Sequence, residues 1–269
     1  MDDRLSSLLA ALQPIAVEAS RTILNYYGSP VAAEAKADDS PLTLADKASH
    51  TLLVARLTEL TPDIPVVSEE STESAAISES AGTWRWLVDP LDGTKEFLKQ
   101  TGQFTVNVAL VHDDYPVLGI VHVPVSGVSY LGLTRGAECG AWIVEPQKSR
   151  RPIRTRRADL DHLTVVASRD HAGPVVEAFL KRLQHADVTS LGSSLKFCLV
   201  AEGKADFYPR VVPTMQWDTA ASQTIVEAAG GHLTLLDGTR LSCPKDRLRN
   251  PSTMTFGDPT IDWPRFFGE

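Results

Sequence analysis

The residues whose types and spacing carry the most chemistry lie in WLVDPLDGTKEF, Trp86 to Phe97. Asp89 and Asp92 close an apolar run, with Pro90 between them and Gly93 behind them. Two like charges in so short a turn repel, and each raises the other's proton affinity. A capped helix, a phosphoenzyme nucleophile or bound cations could offset that cost.

Asp is a common N-cap, so Asp92 alone could cap a helix starting at DGTKEFL. A cap needs one acceptor, however, and Asp89 supplies a second. A nucleophile of the haloacid-dehalogenase type needs D-x-D-G-T, whereas this chain reads D-P-L-D-G-T. In an extended segment the added residue turns the second carboxylate to the opposite face. A calcium loop counted from Asp89 would need Glu at its twelfth position, where Gln100 stands. A cation-gripping turn meets none of these objections. Pro90 fixes φ, Gly93 permits close backbone approach, and the carbonyl of Leu91 is free to act as an oxygen ligand. The amides of Gly93 and Thr94, at the start of a helix, would receive an anion. Ligation by oxygen alone selects Mg²⁺ or Mn²⁺ over zinc.

Further acids stand at element ends. VVSEES places Glu69 and Glu70 just beyond a strand, and QWDTAA places Asp218 at a helix start. Singly, Glu69 reads equally well as a solvated strand end and Asp218 as a helix cap. Their occurrence as a set is what points to a shared metal site.

Together SEES, WLVDPLDGTKEF and WDTAA resemble the lithium-sensitive, magnesium-dependent inositol monophosphatase superfamily, in order and spacing over most of the chain. SPLTLADKASHTLL, LTPDIPVVSEES and GSSLKFCLVAEGKADFYPR are most similar to its bacterial CysQ-type 3′(2′),5′-bisphosphate nucleotidases. The resemblance implies an α/β (α+β) chain folded as a five-layered α/β/α/β/α sandwich. It implies removal of the 3′-phosphate from adenosine 3′,5′-bisphosphate, giving AMP and phosphate, in sulfur assimilation. The 5′-phosphosulfate relative is a second substrate on this reading. Carried over by position, the ligands of two or three Mg²⁺ ions, for which Mn²⁺ would substitute, are Glu69, Asp89, the Leu91 carbonyl, Asp92 and Asp218. Asp46 and Thr94 would orient and deprotonate the attacking water beside Glu69. Substrate would lie against Glu69, Leu91, Asp92, Gly93, Thr94 and Asp218, with Ser193, Lys196 and Arg210 gripping its second phosphate. His171 is a surface-loop histidine within reach of the nucleotide. RVVPTMQWD departs from the family's RFGPT at Val211 and Val212, which touches base or sugar recognition and not the metal site.

The alternative within the superfamily is inositol monophosphate or fructose 1,6-bisphosphate as substrate. GSSLKF disfavours it, because a small polyol needs no second phosphate grip. A non-catalytic binder on the same fold would have no need to maintain so much buried repulsion. Paired metals would also shield the acids from one another, so Mg²⁺ should stabilise the fold.

The elements that must position these groups are legible in outline. Apolar residues from Leu5 to Leu24 recur at helical spacing, giving a helix over 3–27 with Pro14 as a kink and Gly28 as its stop. Thr43, with Asp46 three residues on, caps a second helix to Leu60. IPVVS is a buried strand, WRWLVDP a strand broken by Pro90, and FTVNVALV, VLGIVHVP and GVSYLGL an antiparallel set. After the basic patch KSRRPIRTRR, strands and helices alternate in an α/β pattern. The reading is an N-terminal α+β metal-binding domain over 1–152 and a C-terminal α/β domain over 153–269 that completes the site. The patch is read as a solvated connection, with a weak peripheral contact to anionic lipid as its other use.

The whole chain has 269 residues, 43% hydrophobic and 22% charged, with a net charge of −8. That balance is globular and excludes a nucleic-acid polymer as a bulk electrostatic partner. Cys139, Cys198 and Cys243 form no C-x-x-C pair, as expected of a reducing, cytoplasmic setting. CPKDRLR holds a C-x5-R spacing from Cys243 to Arg249 but lacks the glycines of a cysteine-phosphatase cradle. The N-terminus has no basic region of a signal peptide, and no apolar run approaches the ~20 residues that span a bilayer. Nothing in the sequence sets the oligomeric state.

Overall fold

The computed structural model describes residues 1–29, 34–35, 41–71, 83–167, 174–183 and 186–267. Helix α1 (Leu5–Leu24) follows a single 3₁₀ turn and buries Leu5, Leu8, Leu12, Ala16, Ala19 and Ile23 along one stripe. It is shorter at both ends than expected. Pro14 lies inside it on the exposed face, where the helix runs on without interruption. Strands β1 (Glu34–Ala35) and β2 (Pro41–Leu42) pair antiparallel. Helix α2 (Leu44–Leu60) starts where the sequence places it. The Thr43 hydroxyl accepts from the amides of Ala45 and Asp46, and the Asp46 carboxylate takes the Thr43 amide.

A seven-stranded sheet follows from β3 (Val66–Ser68), β4 (Trp84–Asp92), β5 (Thr105–His112), β6 (Tyr115–Val123), β7 (Val128–Leu133), β8 (Gly140–Val144) and β9 (Arg151–Pro152), in chain order. The short helix α3 (Thr94–Leu98) sits between β4 and β5. Only β3 pairs parallel, with β4; the other neighbours are antiparallel. The second half supplies β10 (Leu163–Ala167), α4 (Pro174–Arg182), β11 (Ala186–Ser190), α5 (Leu195–Ala201), β12 (Phe207–Arg210), α6 (Gln216–Ala228), β13 (His232–Leu235) and β14 (Thr253–Phe256). Its five strands run in the order β11-β10-β12-β14-β13. That sheet is mixed: β10 pairs parallel with β11 and β12, whereas β14 pairs antiparallel with β12 and β13.

The layers follow from alternation along the strands. In β5, Val106, Val108 and Leu110 join the core under α1 and α2, while Ala109 and Val111 face the core shared with α5 and α6. A third core, with Phe179, Phe207, Phe256 and Trp263, lies between the five-stranded sheet, α4 and the C-terminal segment. The result is the five-layered α/β/α/β/α sandwich expected from the sequence. Among the described residues no helix is long and apolar enough to cross a membrane.

Two sequence expectations need correction. Strand β4 does not break at Pro90; it continues to Asp92 through a register shift. The basic patch is also not merely a solvated connection. Arg151 and Pro152 pair with β8, Ile153 is buried, and Arg150 lies 4.3 Å over the Trp142 ring. Arg156 donates two bonds, at 2.7 and 2.6 Å, to the buried Asp206 carboxylate. The patch therefore pins its segment to both sheets.

Helix α6 packs so closely on the large sheet that a Cβ on Gly119 would stand 2.6 Å from the Ala221 carbonyl oxygen. Backbone cannot yield as a flexible side chain does. Gly119→Ala should cost about 1–3 kcal/mol, the usual range for overpacking. At roughly 2–4 °C per kcal/mol, thermal unfolding should show a clear loss of Tm. An unchanged Tm would mean that α6 can move off the sheet.

Candidate active site

The site begins at the irregularity in β4. Asp89 is paired with Asn107 and Asp92 with Thr105, so three steps along β4 match two along β5. This is a β-bulge, and one extra residue restores both acids to the same face. Asp89 is buried, and its Oδ1 accepts the Leu91 amide at 3.0 Å. The Ser49 hydroxyl of α2 donates to the Pro90 carbonyl at 2.8 Å and ties the bulge to that helix.

Glu69 reaches the same place by parallel pairing. Its amide donates to the Val88 carbonyl at 3.0 Å, one residue before Asp89. His50 Nδ1 lies 2.8 Å from Ser68 Oγ and links α2 to the end of β3.

Asp46 and Asp218 share one local design. Each is the third residue of its helix, α2 or α6. Each uses Oδ2 to accept the amide of the residue before the helix, Thr43 or Met215, at 2.8 Å. Capping therefore fixes the rotamer of both carboxylates, and capping and a site role are not alternatives. The other oxygen of Asp46, Oδ1, accepts from Thr94 Oγ1 at 3.2 Å, and that hydroxyl also lies 3.4 Å from the Leu91 carbonyl.

Burial is the main reason that the Asp89 carboxyl is pushed well above its ordinary range, with Glu69, Asp92 and Asp218 adding repulsion. Burial, then Asp92 and Glu69, raise Asp218 to about 8. These four acids from distant parts of the chain thus act on one another's charge. Among the described residues no three acidic, His or Cys side chains are closed around one point as a finished metal site. The convergence is electrostatic, and the groups that could serve as ligands are hard oxygens: these carboxylates and, beside Thr94, the Leu91 carbonyl. Such a set fits Mg²⁺ or Mn²⁺ and not zinc.

Asp92 corrects the simplest reading of the turn. The N-cap of α3 is Gly93, at φ +93°, and no side chain caps that helix among the described residues. Instead, Asp92 Oδ2 accepts from the Ser194 amide at 2.6 Å, the Ser194 hydroxyl at 2.7 Å and Asn107 Nδ2 at 3.2 Å. Neither Ser194 nor Asn107 was singled out from the sequence. The available signal was Asn107 itself, a polar residue between Val106 and Val108 in a buried strand.

The second half supplies the opposite wall of a cleft lined by Asp92, Gly93, Ser193, Lys196, Arg210 and Asp218. Helix α5 starts at Leu195, and the Ser194 amide before it is taken by Asp92 instead of being open to an anion. Lys196 is buried, donates to the carbonyls of Ser193 at 2.6 Å and Leu191 at 3.3 Å, and lies 5.7 Å from the Tyr208 ring centroid. Burial, with nearby Arg210 contributing, lowers its pKa to about 8. Ser193 sits at φ +47°, and its buried Oγ and the Arg210 Nε have no hydrogen-bond partner among the described residues. Unsatisfied donors beside an ammonium form a wall suited to an anion.

His171 lies outside the described residues. Cys243 is buried and its thiol is pushed up to about 12 by burial, so the C-x5-R spacing carries no thiolate chemistry.

Known proteins resemble the chain in sequence and in fold. A model of the inositol monophosphatase family matches residues 4–258. The chain is 44% identical over 242 residues to the 3′(2′),5′-bisphosphate nucleotidase CysQ of Escherichia coli strain K12, spanning 88% of this chain and 94% of that one. It is 44% identical over 249 residues to the CysQ nucleotidase of Salmonella typhimurium, spanning 91% and 97%. The crystal structure of CysQ from Bacteroides thetaiotaomicron superposes with a TM-score of 0.79 at 38% identity, covering 93% of this chain and 97% of that one. The suhB protein of Bartonella henselae, at 21% identity and a TM-score of 0.80, shares the fold.

Proposed function

The chain belongs to the inositol monophosphatase family and is an enzyme of the phosphatase class; from that premise we propose that it is a Mg²⁺-dependent 3′(2′),5′-bisphosphate nucleotidase. Its substrate is adenosine 3′,5′-bisphosphate, which water converts to AMP and phosphate. The observation that carries this reading is the make-up of one cleft. Asp92 and Asp218, which with Glu69 raise the proton affinity of the buried Asp89, line it on one side, and Lys196 with the unsatisfied Ser193 and Arg210 donors lines the other. A nucleotide with two phosphates suits both walls. The 5′-phosphosulfate relative carries an anion at the same end and fits the same grip, which suits a role in sulfur assimilation. The free Cys198 and Cys243 in the core support a cytoplasmic setting.

Glu69, Asp89, Asp92, Asp218 and the Leu91 carbonyl would hold the Mg²⁺ ions. Bound Mg²⁺ supplies positive charge that makes water more acidic and offsets charge on the phosphate. Thr94 and Asp46 do the proton work. Water donating to Thr94 Oγ1 is held in line by the Thr94–Asp46 bond; as it attacks, its proton passes to Thr94 Oγ1 while the Thr94 proton passes to Asp46 Oδ1. As the new O–P bond forms, the bond from phosphorus to the ribose 3′ oxygen breaks, and that oxygen takes a proton from solvent water to become the 3′-hydroxyl of AMP. The amides of Gly93 and Thr94, at the start of α3 where no side chain caps the helix among the described residues, would donate to the phosphate oxygens. Lys196 and Arg210 hold the far phosphate and set the distance to the reacting one.

Phosphate release should be measured from adenosine 3′,5′-bisphosphate, inositol 1-phosphate and fructose 1,6-bisphosphate. The nucleotide should exceed inositol 1-phosphate in kcat/KM by at least about 10²-fold, since an unpaired buried phosphate grip penalises a substrate without that phosphate, and should also exceed fructose 1,6-bisphosphate, whose second phosphate is carried on a different frame. Arg210→Ala should remove most of that preference through KM. Equal rates on all three substrates would overturn the nucleotidase reading while leaving a phosphatase.

A further inference from the structure

Outside the groups assigned above, the densest buried polar network near the cleft centres on Ser194. We infer that Ser194, supported by Asn107, is a positioning residue that couples the two halves of the site by fixing Asp92 against the start of α6. This inference rests on the metal-site reading of Asp92.

Ser194 precedes α5, Asp92 ends β4 and Asp218 lies in the first turn of α6. Ser194 touches the Asp92 carboxylate and the Asp218 backbone. Its amide and hydroxyl converge on Asp92 Oδ2, and its hydroxyl oxygen lies 3.1 Å from the Asp218 carbonyl. Its position in space is set from the β5 side, where Asn107 Nδ2 donates to Ser194 Oγ at 2.9 Å and to Asp92 Oδ2 at 3.2 Å. The amide of Asn107 is oriented in turn, because its Oδ1 accepts from Thr105 Oγ1 at 2.9 Å. Ser194 and Asn107 are both buried, so water does not compete for these bonds.

The bond inventory gives the consequence. Asp92 Oδ2 has three donors, the Ser194 amide, the Ser194 hydroxyl and Asn107 Nδ2, while the one Thr105 hydroxyl proton goes to Asn107 Oδ1. That oxygen is saturated. Asp92 therefore offers the cleft one oxygen, in one rotamer, and only while α5 is seated against β4. Groups that orient a ligand in this way commonly change metal affinity or activity by about 10–100-fold.

The test measures Mg²⁺ titration of Tm, with kcat and KM, in the parent protein, Ser194→Ala and Asn107→Ala. Ser194→Ala keeps the amide bond and loses the hydroxyl. It should raise the Mg²⁺ concentration for half of the Tm rise about tenfold or more and lower kcat about 10–100-fold, with KM within about twofold. Asn107→Ala should shift both in the same direction by less. Melting each variant without Mg²⁺ separates a general loss of stability from weakened metal response. A normal parent response with an unchanged Mg²⁺ midpoint and kcat in Ser194→Ala would overturn the positioning role alone. A parent protein with no Mg²⁺ response would overturn the metal-site reading and this inference with it.

Discussion

Asp89→Asn should lower kcat/KM for adenosine 3′,5′-bisphosphate by at least about 10³-fold and at the same time raise the Tm of the metal-free protein. The two effects have one cause. Asp89 is buried beside Glu69, Asp92 and Asp218, and all three raise its pKa. An amide removes that repulsion and still accepts the Leu91 N–H through Oδ1. Relief on the order of 1–2 kcal/mol corresponds to a few degrees at roughly 2–4 °C per kcal/mol. The variant should also lose most of the Tm rise on adding Mg²⁺. Activity assays and melting curves with and without Mg²⁺ check all three outcomes. A fully active Asp89→Asn would remove Asp89 from the chemistry.

Asp46→Asn should lower kcat by about 10²–10⁴-fold, the range for loss of a general base, with KM little changed. Its helix cap survives, since an amide oxygen can accept the Thr43 N–H, so the fold should be intact. Its Mg²⁺-induced Tm rise should also persist, because Asp46 stands behind Thr94 and outside the carboxylate set. Thr94→Val should fall by a similar factor. The double variant should be little worse than either single one, since Asp46 and Thr94 act as a unit through one hydrogen bond. Multiplicative losses would separate their roles. Loss of the Mg²⁺ response in Asp46→Asn would move Asp46 into the metal set.

What the sequence disclosed follows the range of the interactions involved. The helix starts at Thr43 and before Gln216 are local patterns within four residues, and they place Asp46 and Asp218 correctly. The alternation of β5 is likewise local and assigns Val106, Val108 and Leu110 to one face. The bulge is not local. Pro90 suggests a break, and only pairing with β5 shows that the strand continues and returns Asp92 to the side of Asp89. Strand-face arithmetic on an unbulged strand gives the wrong side. Ser194 was missed for a related reason: its importance lies in contacts to residues 102 positions away, and nothing in GSSLK distinguishes it from Ser193. The strand and helix alternation in the second half likewise gives no hint of the antiparallel β14, which follows β13 by a long connection and pairs with β12 and β13.

The central claim is that buried carboxylates are brought together for a divalent cation to neutralise, and its most direct test is Tm against pH with and without Mg²⁺. Asp218 is raised from 3.8 to about 8 in the fold, and Asp89 is raised as well. A carboxyl with a higher pKa in the fold keeps its proton where the unfolded chain has lost it, so the metal-free fold loses stability as pH climbs from about 4 to about 8. A saturating cation removes the need for those protons. The account predicts a Tm rise with Mg²⁺ that is several degrees at about pH 8 and much smaller at about pH 5. A Tm indifferent to Mg²⁺ at pH 8, or a rise of equal size at both pH values, would contradict it.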